Sequence, residues 1–569
     1  MANMRIPTRT VAEGFLAALK ARGIDYFFAN AGTDFASIVE ALSTPGRKGR
    51  FPEAIAVPHE NAAVAMAHGY TMVTGHPQAV MVHVNVGTAN AINGLINAAS
   101  DNVPMLMFAG RTPLFEEGQL GARNVPIHWA QEMFDQAAMV REFVKWDYEL
   151  RDASQVATVV DRALAIATAA PKGPVYLSMP REVLAREMKA INLPETMRTG
   201  LSGDAQPDPD VIARAAAILA EAERPLIITA ASGQDTQTPK QLAALADRFA
   251  LPVVEFRSRF LCLASDHPMH LGYEFNPHVG EADAILVLDC DVPWMPVFGA
   301  PKPETPVIQV GSDPLFQSAP IRSFPADLAI AAPTRTVLPK LARALGQRTK
   351  GRTGQIAKRH RRIAAAHRKY RLAAVEAASK SLKTGRIGFD YVCLCLDRLK
   401  ARDDILVSEY SAQRQVLTFD WPGTFFQTSQ AGGLGWGLPA ALGAKLAAPE
   451  RQVIALLGDG AYMFANPVAC HQVAEAVDLP VLSVICNNSR WAAVERAVKG
   501  LHPGGHASRR NRIPLASLEP SPRFERVIEA SGGYGERVEK PEDLPGALER
   551  AMRVVKEERR QALVNVICD

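Results

Sequence analysis

The sequence predicts an α/β protein of three domains, each built on a central, mostly parallel sheet flanked by helices. Short apolar segments typical of buried strands alternate with helical patterns along almost the whole chain, and this alternation is typical of parallel α/β architecture. The chain has 569 residues, which is too long for a single hydrophobic core. Its 48% hydrophobic and 21% charged residues are ordinary for globular proteins, so we expect a soluble protein of several packed domains.

The predicted domains follow one another along the chain. The first covers residues 1–192, with strands at 26–28, 54–57, 79–82, 105–108 and 174–178. The second covers 193–346 and begins with a Pro-rich linker at 193–209; its strands are 225–229, 252–254, 284–288 and 307–310. The basic segment 347–386 is predicted as a solvated helical connector, with contact to an anionic ligand tail as the alternative. The third domain covers 387–569.

Charge and cysteine content exclude several classes of protein. The formal net charge is only +4, so we expect no nucleic-acid partner and no membrane partner. No apolar segment reaches the length of a membrane span, and the first residues lack the apolar core of a signal peptide. The seven cysteines form no Cys-x-x-Cys pair and are predicted to be buried thiols in the reducing cytoplasm.

Two polar motifs follow neighbouring strands of the third domain. Gly458-Asp459-Gly460-Ala461 comes after the apolar segment 451–457, and Asn487-Asn488-Ser489-Arg490-Trp491 comes after 482–486. The carboxyl ends of parallel strands are the ligand-binding edge of such sheets. Carboxylate, amide and carbonyl oxygens suit Mg²⁺, and the glycines allow close approach of a diphosphate. The structural alternative is an ordinary Asp-Gly turn followed by a loop.

The spacing and residue types of these motifs resemble the diphosphate-binding motif of thiamine diphosphate enzymes. The resemblance implies bound thiamine diphosphate and Mg²⁺, with the metal held by the side chains of Asp459 and Asn488 and by the backbone carbonyl of Arg490. The residues implied to line the diphosphate are Gly458, Asp459, Gly460 and Ala461, where Ala461 stands in place of the family's usual serine. The interval before the asparagines is also about two residues longer than usual.

The three predicted domains resemble the family's pyrimidine-binding, central and diphosphate-binding domains in that order. In the family, the pyrimidine-binding domain of one subunit faces the diphosphate-binding domain of another. The resemblance therefore implies a homodimer as the smallest working unit, with a dimer of dimers left open.

Glu60 is the residue predicted to activate the coenzyme. His59-Glu60 follows the strand 54–57 and opens a helix of small residues, 61–69. By resemblance, the carboxylate binds N1′ of the aminopyrimidine and favours the tautomer whose 4′ nitrogen removes a proton, which is acid–base catalysis at short range. The structural alternative is a glutamate favoured at a helix start by the macrodipole.

Further coenzyme contacts are implied around a glycine-rich segment, 429–439. By resemblance, the carbonyl of Gly432 receives the 4′-amino group, and Leu434 wedges between the two rings of the coenzyme. Ser411, after the strand 404–407, offers a hydroxyl or an amide to the diphosphate. The structural alternative for the glycines is a turn followed by a helix that begins near a proline.

Several branches of the family are similar to this chain. The segment that begins at His83 resembles benzoylformate decarboxylase, in which the matching histidine lies beside the reacting carbon, and Thr33 falls at a substrate-contacting serine. The matching central segment, 289–296, lacks that enzyme's second histidine. Gln131-Glu132 resembles acetolactate synthase, but the segment 291–294 replaces the arginine-bearing segment that holds FAD, which argues against FAD.

A 2-hydroxyacyl-CoA lyase is the third branch. Arg257, Arg259 and the basic connector could meet the phosphates of a CoA-type substrate, and Glu495 could face the substrate. The alternative for His83 is a strand-end histidine bound to backbone.

The resulting prediction is a thiamine diphosphate- and Mg²⁺-dependent C–C lyase or carboligase (a decarboxylase or a transferase) that acts on a 2-oxo acid or related small carbonyl compound. The predicted catalytic residues are Glu60, His83 and Gln131. A non-catalytic regulatory subunit with the same fold is the alternative of another class. A dehydrogenase is disfavoured because no Gly-x-Gly-x-x-Gly follows the first strand.

Overall fold

The computed structural model describes residues 3–46, 48–197, 203–510 and 512–569. Part of the predicted linker at 193–209 therefore lies outside the described residues. The structure contains three large sheets with flanking helices, which confirms the predicted α/β class. The predicted domain bounds themselves stay predictions.

The first large sheet has six strands in the order β3-β2-β4-β5-β7-β6, and all its neighbours pair in parallel. Its strands are β2 (Tyr26–Ala29), β3 (Glu53–Ala56), β4 (Ala79–Val82), β5 (Met105–Arg111), β6 (Asp147–Glu149) and β7 (Pro174–Pro180). Two further strands, β1 (Asn3–Pro7) and β8 (Ala190–Pro194), pair antiparallel beside it.

The second and third sheets lie in the later part of the chain. The second has the order β10-β9-β11-β12-β13, with strands β9 (Pro225–Thr229), β10 (Val253–Glu255), β11 (Ala284–Leu288), β12 (Val307–Gly311) and β13 (Leu328–Ala331). The third has the order β15-β14-β16-β17-β19-β18, with strands β14 (Ile405–Glu409), β15 (Phe425–Gln427), β16 (Val453–Gly458), β17 (Leu482–Asn487), β18 (Tyr534–Val538) and β19 (Ala562–Ile567).

Helices separate most of the strands. They are α1 (Val11–Ala21), α2 (Ala36–Ser43), α3 (Glu60–Thr74), α4 (Val84–Ser100), α5 (Ile127–Ala130), α6 (Val156–Thr168), α7 (Arg181–Ala185), α8 (Pro209–Glu221), α9 (Thr238–Phe249), α10 (His278–Glu281), α11 (Thr334–Arg348), α12 (Thr353–Ala378), α13 (Ser381–Thr384), α14 (Phe389–Leu399), α15 (Gly437–Ala447), α16 (Asp459–Phe464), α17 (Pro467–Ala476), α18 (Ala492–Leu501), α19 (Phe524–Glu529) and α20 (Leu544–Glu557). No helix in the ranges described above is both long and apolar enough to cross a membrane.

Many strands could be located from the sequence because strands that are buried on both faces of a sheet are apolar along their length. Every residue of β5 and β7 is buried, as expected where helices cover both faces of a parallel sheet. The strands that sequence reasoning did not locate include β6, whose three residues are only partly buried, and β13, which alternates buried and exposed positions. An apolar-segment criterion cannot detect such edge strands.

By contact density the chain divides into two compact units. The first comprises Met1–Ser202, Thr428–Arg537 and Arg550–Asn565, and the second comprises Gly203–Gln427, Val538–Glu549 and Val566–Asp569.

Helices α3 and α15, both in the first unit, pack at unusually short distance. A Cβ added to Gly69 would lie 2.0 Å from the carbonyl oxygen of Ala440, and one added to Gly443 would lie 1.9 Å from the carbonyl oxygen of Met66. Each helix therefore needs a glycine where the backbone of the other one crosses it.

The basic connector is largely the 26-residue helix α12, and it is docked on the second unit. Ile363 and Ala364 belong to the apolar core that also covers one face of the second sheet. Arg359 donates hydrogen bonds to the carbonyls of Phe249 and Ala250 at the end of α9. The helix is thus not simply solvated, because one side is packed while many of its basic residues are exposed.

Candidate active site

The carboxyl edge of the first sheet collects the acid–base residues. Asp34 follows β2, Glu60 follows β3 and His83 follows β4, and these three parallel strands are adjacent in the sheet. Because parallel strands end at the same edge, side chains that follow them come together there.

Glu60 is the first residue of α3 and is buried. The imidazole of His59 caps the helix by accepting from the N–H of Asn61. The amide of Asn90 on α4 donates to Glu60 Oε2 at 3.2 Å, and a Cβ on Gly87 would lie 3.3 Å from Oε1. The carboxylate is therefore held between the start of α3 and the side of α4.

His83 lies between a carboxylate and an amide. Its Nδ1 is 2.5 Å from Asp34 Oδ1, and its Nε2 is 3.2 Å from the Nε2 of Gln131. The hydrogen bond to Asp34 raises the pKa of His83, burial opposes this effect, and the charge of Glu60 adds to it. The structure thus brings His83 and Gln131 together, at a site to which Glu60 contributes charge. The strand-end alternative for His83, with backbone partners, does not describe these contacts.

The Gly432–Leu434 loop is attached to α4 in the same chain. Asn93 donates to the carbonyl of Leu434 at 2.9 Å, and Asn97 donates to the carbonyl of Gly433 at 2.7 Å. Asn90 precedes Asn93 by three residues, and Asn93 precedes Asn97 by four, so all three lie on one face of the helix. We call this set the α4 asparagine stripe (Asn90, Asn93 and Asn97). Sequence reasoning missed it, although its helical spacing is visible in the sequence.

Backbone conformation and close packing explain why several positions of this loop are glycine. Gly432 is exposed and has φ +75°, a conformation that favours glycine. A Cβ on Gly433 would meet the amides of Asn93 and Asn97, and one on Gly435 would lie 2.3 Å from the carbonyl of Phe464. Close packing of the protein on itself therefore accounts for Gly433 and Gly435, whereas Gly432 is exposed and its contact with the coenzyme stays a prediction.

The two motifs of the predicted metal site meet at the ends of β16 and β17, which pair in parallel. Asp459 is buried, and its Oδ1 accepts from the N–H of Gly460 at 2.9 Å. Its Oδ2 is buried without a hydrogen-bond partner among the residues that the structure describes. Burial raises the pKa of Asp459, while the backbone N–H groups of Gly460, Ser489 and Arg490 oppose the rise.

Such an unpartnered buried oxygen is costly unless a cation or a donor reaches it. Asn488 turns its side-chain oxygen toward the N–H of Arg490, at 3.2 Å, and the Arg490 carbonyl accepts from the N–H of Ala492. One carboxylate, one amide oxygen and one carbonyl suit a hard cation that keeps several waters. Groups of three or more His, Cys, Asp or Glu side chains that could hold a metal are absent from the described part of the chain, but the predicted ligand set is not of that kind.

The remaining residues of the phosphate motif are ordered around α16. Gly458 precedes the helix in extended conformation, and Ala461 is buried in its first turn. The indole of Trp491 covers Gly460 so closely that a Cβ there would lie 2.1 Å from the ring. Sequence reasoning noted Trp491 only as the end of a motif and gave no reason for Gly460 other than a phosphate. The lengthened interval is a turn between α16 and α17, with Asn466 at φ +52°.

Three further residues from the sequence analysis, Ser411, Thr33 and Arg259, have the following surroundings. Ser411 is buried in the second unit, where its hydroxyl donates to the carbonyl of Glu409 at 3.5 Å, and its contact with a diphosphate stays a prediction. Thr33 is exposed in a short 3-10 turn before Asp34. The guanidinium of Arg259 is buried and binds Asp291 at 3.3 Å.

Neither Arg259 nor Glu495 favours the CoA-type alternative. Arg259 is engaged with Asp291 inside the second unit. Glu495, on α18, is paired with Lys499 of the same helix and with Arg490, which precedes the helix. These contacts lower the pKa of Glu495, chiefly through the hydrogen bond from Lys499.

Comparisons with protein families match three separate segments of the chain. Models of thiamine pyrophosphate enzymes match the chain at three places: the N-terminal TPP binding domain over residues 9–139, the central domain over 212–341 and the C-terminal TPP binding domain over 408–566. Thiamine pyrophosphate is another name for thiamine diphosphate. Between them, the three matched segments cover most of the chain.

Curated relatives align along almost the full length. The acetolactate synthase large subunit of Mycobacterium tuberculosis is 26% identical over 583 residues, with 99% of this chain and 97% of the relative covered. The sulfoacetaldehyde acetyltransferase of Castellaniella defragrans is 24% identical, with 98% and 93% covered.

Solved structures share the fold. The 4-hydroxybenzoylformate decarboxylase of Rhodococcus jostii RHA1 matches with a TM-score of 0.78 at 22% identity, covering 98% of this chain and 99% of that one. The benzoylformate decarboxylase of Polynucleobacter necessarius matches with a TM-score of 0.79 at 20% identity, covering 99% of both chains.

Proposed function

Since the chain belongs to the thiamine diphosphate-dependent enzymes, we propose that it is a Mg²⁺-requiring lyase or carboligase that cleaves or joins a C–C bond next to the carbonyl of a 2-oxo acid. Its sequence similarity to acetolactate synthase and the fold that it shares with benzoylformate decarboxylase support this proposal. Its working unit is a homodimer or a dimer of dimers in the cytoplasm. The coenzyme, when bound, supplies the electron sink for the bond that breaks.

One observation carries this proposal: at the sheet edge where Glu60 begins α3, His83 has its Nδ1 2.5 Å from Asp34 Oδ1 and its Nε2 3.2 Å from the amide nitrogen of Gln131. An enzyme that only bound the coenzyme would need Glu60 but no adjacent acid–base group. A decarboxylase or carboligase must also move protons on the substrate, and a histidine held by a carboxylate and an amide suits that task.

The proposed mechanism gives each predicted site residue one role. Glu60 would bind the aminopyrimidine of the coenzyme and hold its protonation state, and Leu434 would pack against the rings of the coenzyme. His83 gives and takes the proton at the substrate oxygen or carbon. Asp459, Asn488 and the carbonyl of Arg490 would hold Mg²⁺.

The test measures both product formation and coenzyme binding. Purified protein with thiamine diphosphate and Mg²⁺ is incubated with a panel of 2-oxo acids, alone and in pairs, and with 2-hydroxyacyl-CoA compounds, and the products are identified by mass spectrometry. We expect turnover of a 2-oxo acid and none of the CoA compounds. In calorimetry, Asp459→Asn should weaken coenzyme binding about 10-fold to 100-fold, since a buried ligand charge is lost.

Asp478→Asn is the matched control, because Asp478 is an exposed partner of Arg559 and its loss should leave binding unchanged. Cleavage of the CoA compounds alone would contradict the proposal, and so would coenzyme binding that Asp459→Asn leaves intact.

A further inference from the structure

Asp34 is a buried carboxylate with two separate partners. Its Oδ1 is 2.5 Å from His83 Nδ1, and its Oδ2 accepts from the backbone N–H of Val84 at 3.3 Å. A Cβ on Gly110 would lie 1.6 Å from Asp34 Oδ2, and one on Gly32 would lie 2.1 Å from His83 Nδ1. The carboxylate–imidazole pair thus occupies space that only glycines on the neighbouring segments leave open.

The backbone next to this pair is strained. Val84 has φ +32°, a sparsely populated conformation that is unfavourable for a β-branched residue. Strained residues of this kind persist only where their surroundings hold them, and they cluster at active sites. Here the hydrogen bond from the Val84 N–H to Asp34 fixes the turn from β4 into α4, and with it the direction of the His83 side chain.

The hydrogen bonds also select one tautomer of His83. A carboxylate can only accept, so Nδ1 carries a hydrogen and donates to Asp34. In the neutral ring Nε2 is then an acceptor, which matches donation from the Gln131 amide. The amide oxygen of Gln131 is buried and has no hydrogen-bond partner within the described residues. Rotating this amide by half a turn would let its oxygen accept from Nε2–H of the protonated ring.

We propose that Asp34 is a positioning residue that holds His83 as the Nδ1–H tautomer and makes Nε2 the nitrogen that exchanges a proton with the substrate, while the Gln131 amide rotates to match each protonation state. The proposal rests on the proposed function. Nε2 forms an N–H bond as a substrate O–H breaks and leaves its electron pair on oxygen. The proton returns in a later step, so His83 is unchanged after each turnover.

Three titratable groups lie close enough to affect His83. Asp34, after β2, and Glu60, on α3, both favour the charged imidazolium. His128, on α5, is affected by the charge of His83 and in turn disfavours a second positive charge. Removing the Asp34 charge alone should therefore lower the pKa of His83, because the strongest of the favourable contributions is lost.

The first test reads the protonation of His83 without using activity. In holoenzyme, the rate of acylation of His83 by diethyl pyrocarbonate is followed against pH by peptide mass spectrometry, since only the neutral ring reacts. In Asp34→Asn the midpoint should move to lower pH by about 1, as for loss of an adjacent opposite charge. Asp247→Asn removes the exposed partner of His360 and should leave the His83 midpoint in place. A midpoint unchanged in Asp34→Asn would overturn the proposal.

The second test separates positioning from the chemistry of the enzyme. On the 2-oxo acid that is turned over, Asp34→Asn should lower kcat about 10-fold to 100-fold with a smaller change in KM, and the limb of the kcat/KM profile governed by His83 should move to lower pH. A moved acylation midpoint with an unmoved kinetic profile would overturn the assignment of proton exchange to Nε2. A moved midpoint in a protein that turns over no 2-oxo acid would refute the proposed function and leave the Asp34–His83 pairing supported. If Asp34→Asn does not fold, Asp34→Ser serves as the second variant.

Discussion

At the scale of single residues, Glu60 is both buried and located at the start of a helix, a combination that favours a functional role. The carboxylate is buried, and among the described residues it accepts a side-chain hydrogen bond from the amide of Asn90. A helix-start glutamate that served only the macrodipole would gain as much at the surface, where it would lose no hydration. Burial therefore favours a polar ligand as the second partner of this carboxylate.

Replacing Glu60 by glutamine tests this interpretation. Glu60→Gln keeps the shape of the side chain and removes the charge that would bind the aminopyrimidine, so turnover should fall at least about 100-fold. The melting temperature and the oligomeric state should stay the same, as measured by calorimetry and sedimentation. Glu53→Gln, at an exposed position of β3, is the control. Full activity of Glu60→Gln would contradict the role given to this residue.

Single-residue predictions from the sequence succeeded where a local pattern was present. Glu60, His83 and Asp459 each follow an apolar segment, so their place at a sheet edge could be predicted. Asp34 could not, because its partner His83 lies 49 positions away and only the neighbouring order of β2 and β4 brings the two together. Their catalytic roles stay predictions.

At the scale of elements, α3 and α15 depend on glycines for their contact. In Gly443→Ala the new methyl group would overlap the carbonyl of Met66, and the two backbones would have to separate. We expect a loss of about 1–3 kcal/mol, as for other overpacked sites, measured as a lower melting temperature.

The control for Gly443→Ala lies in another helix. Gly354 is in the first turn of α12, and a Cβ there meets nothing within 4 Å, so Gly354→Ala should be neutral or stabilising because alanine is the better helix former. Equal melting temperatures for Gly443→Ala and the wild-type protein would show that the helices adjust freely.

Elements were predictable where they are apolar and regular. Apart from β6 and β13, the strands of the first two large sheets matched apolar segments to within a few residues. Strand β19 contains a buried polar residue, Asn565, which binds Asn487 and Glu525, and a search for apolar segments passes over it. The α4 asparagine stripe was missed for a related reason, since asparagine is usually interpreted as a turn residue.

At the scale of the whole molecule, the first unit exposes apolar side chains on one segment, 114–134. The exposed large residues there are Leu114, Phe115, Leu120, Val125, Ile127, Trp129 and Phe134. Soluble chains seldom leave such a segment uncovered. Its exposure supports the proposed homodimer, although the sequence analysis did not single out this segment as an interface.

The dimer prediction is tested on two of these residues. Trp129→Ser combined with Phe134→Ser removes apolar surface that a partner would cover, so the dimer should dissociate at about 10-fold higher protein concentration or more. Sedimentation velocity measures this, and turnover should fall with the dimer fraction. Leu372→Ser, at an exposed position of α12, is the control. A fully active wild-type monomer at every concentration would contradict the prediction.

The unpartnered oxygen of Asp459 also has a consequence for how the protein survives in the cell. A buried carboxylate without a compensating partner destabilises the native state. A cation that binds there would therefore increase the resistance of the chain to heat and proteases. If the proposed Mg²⁺ fills this site, the metal would stabilise the folded chain in addition to holding the coenzyme.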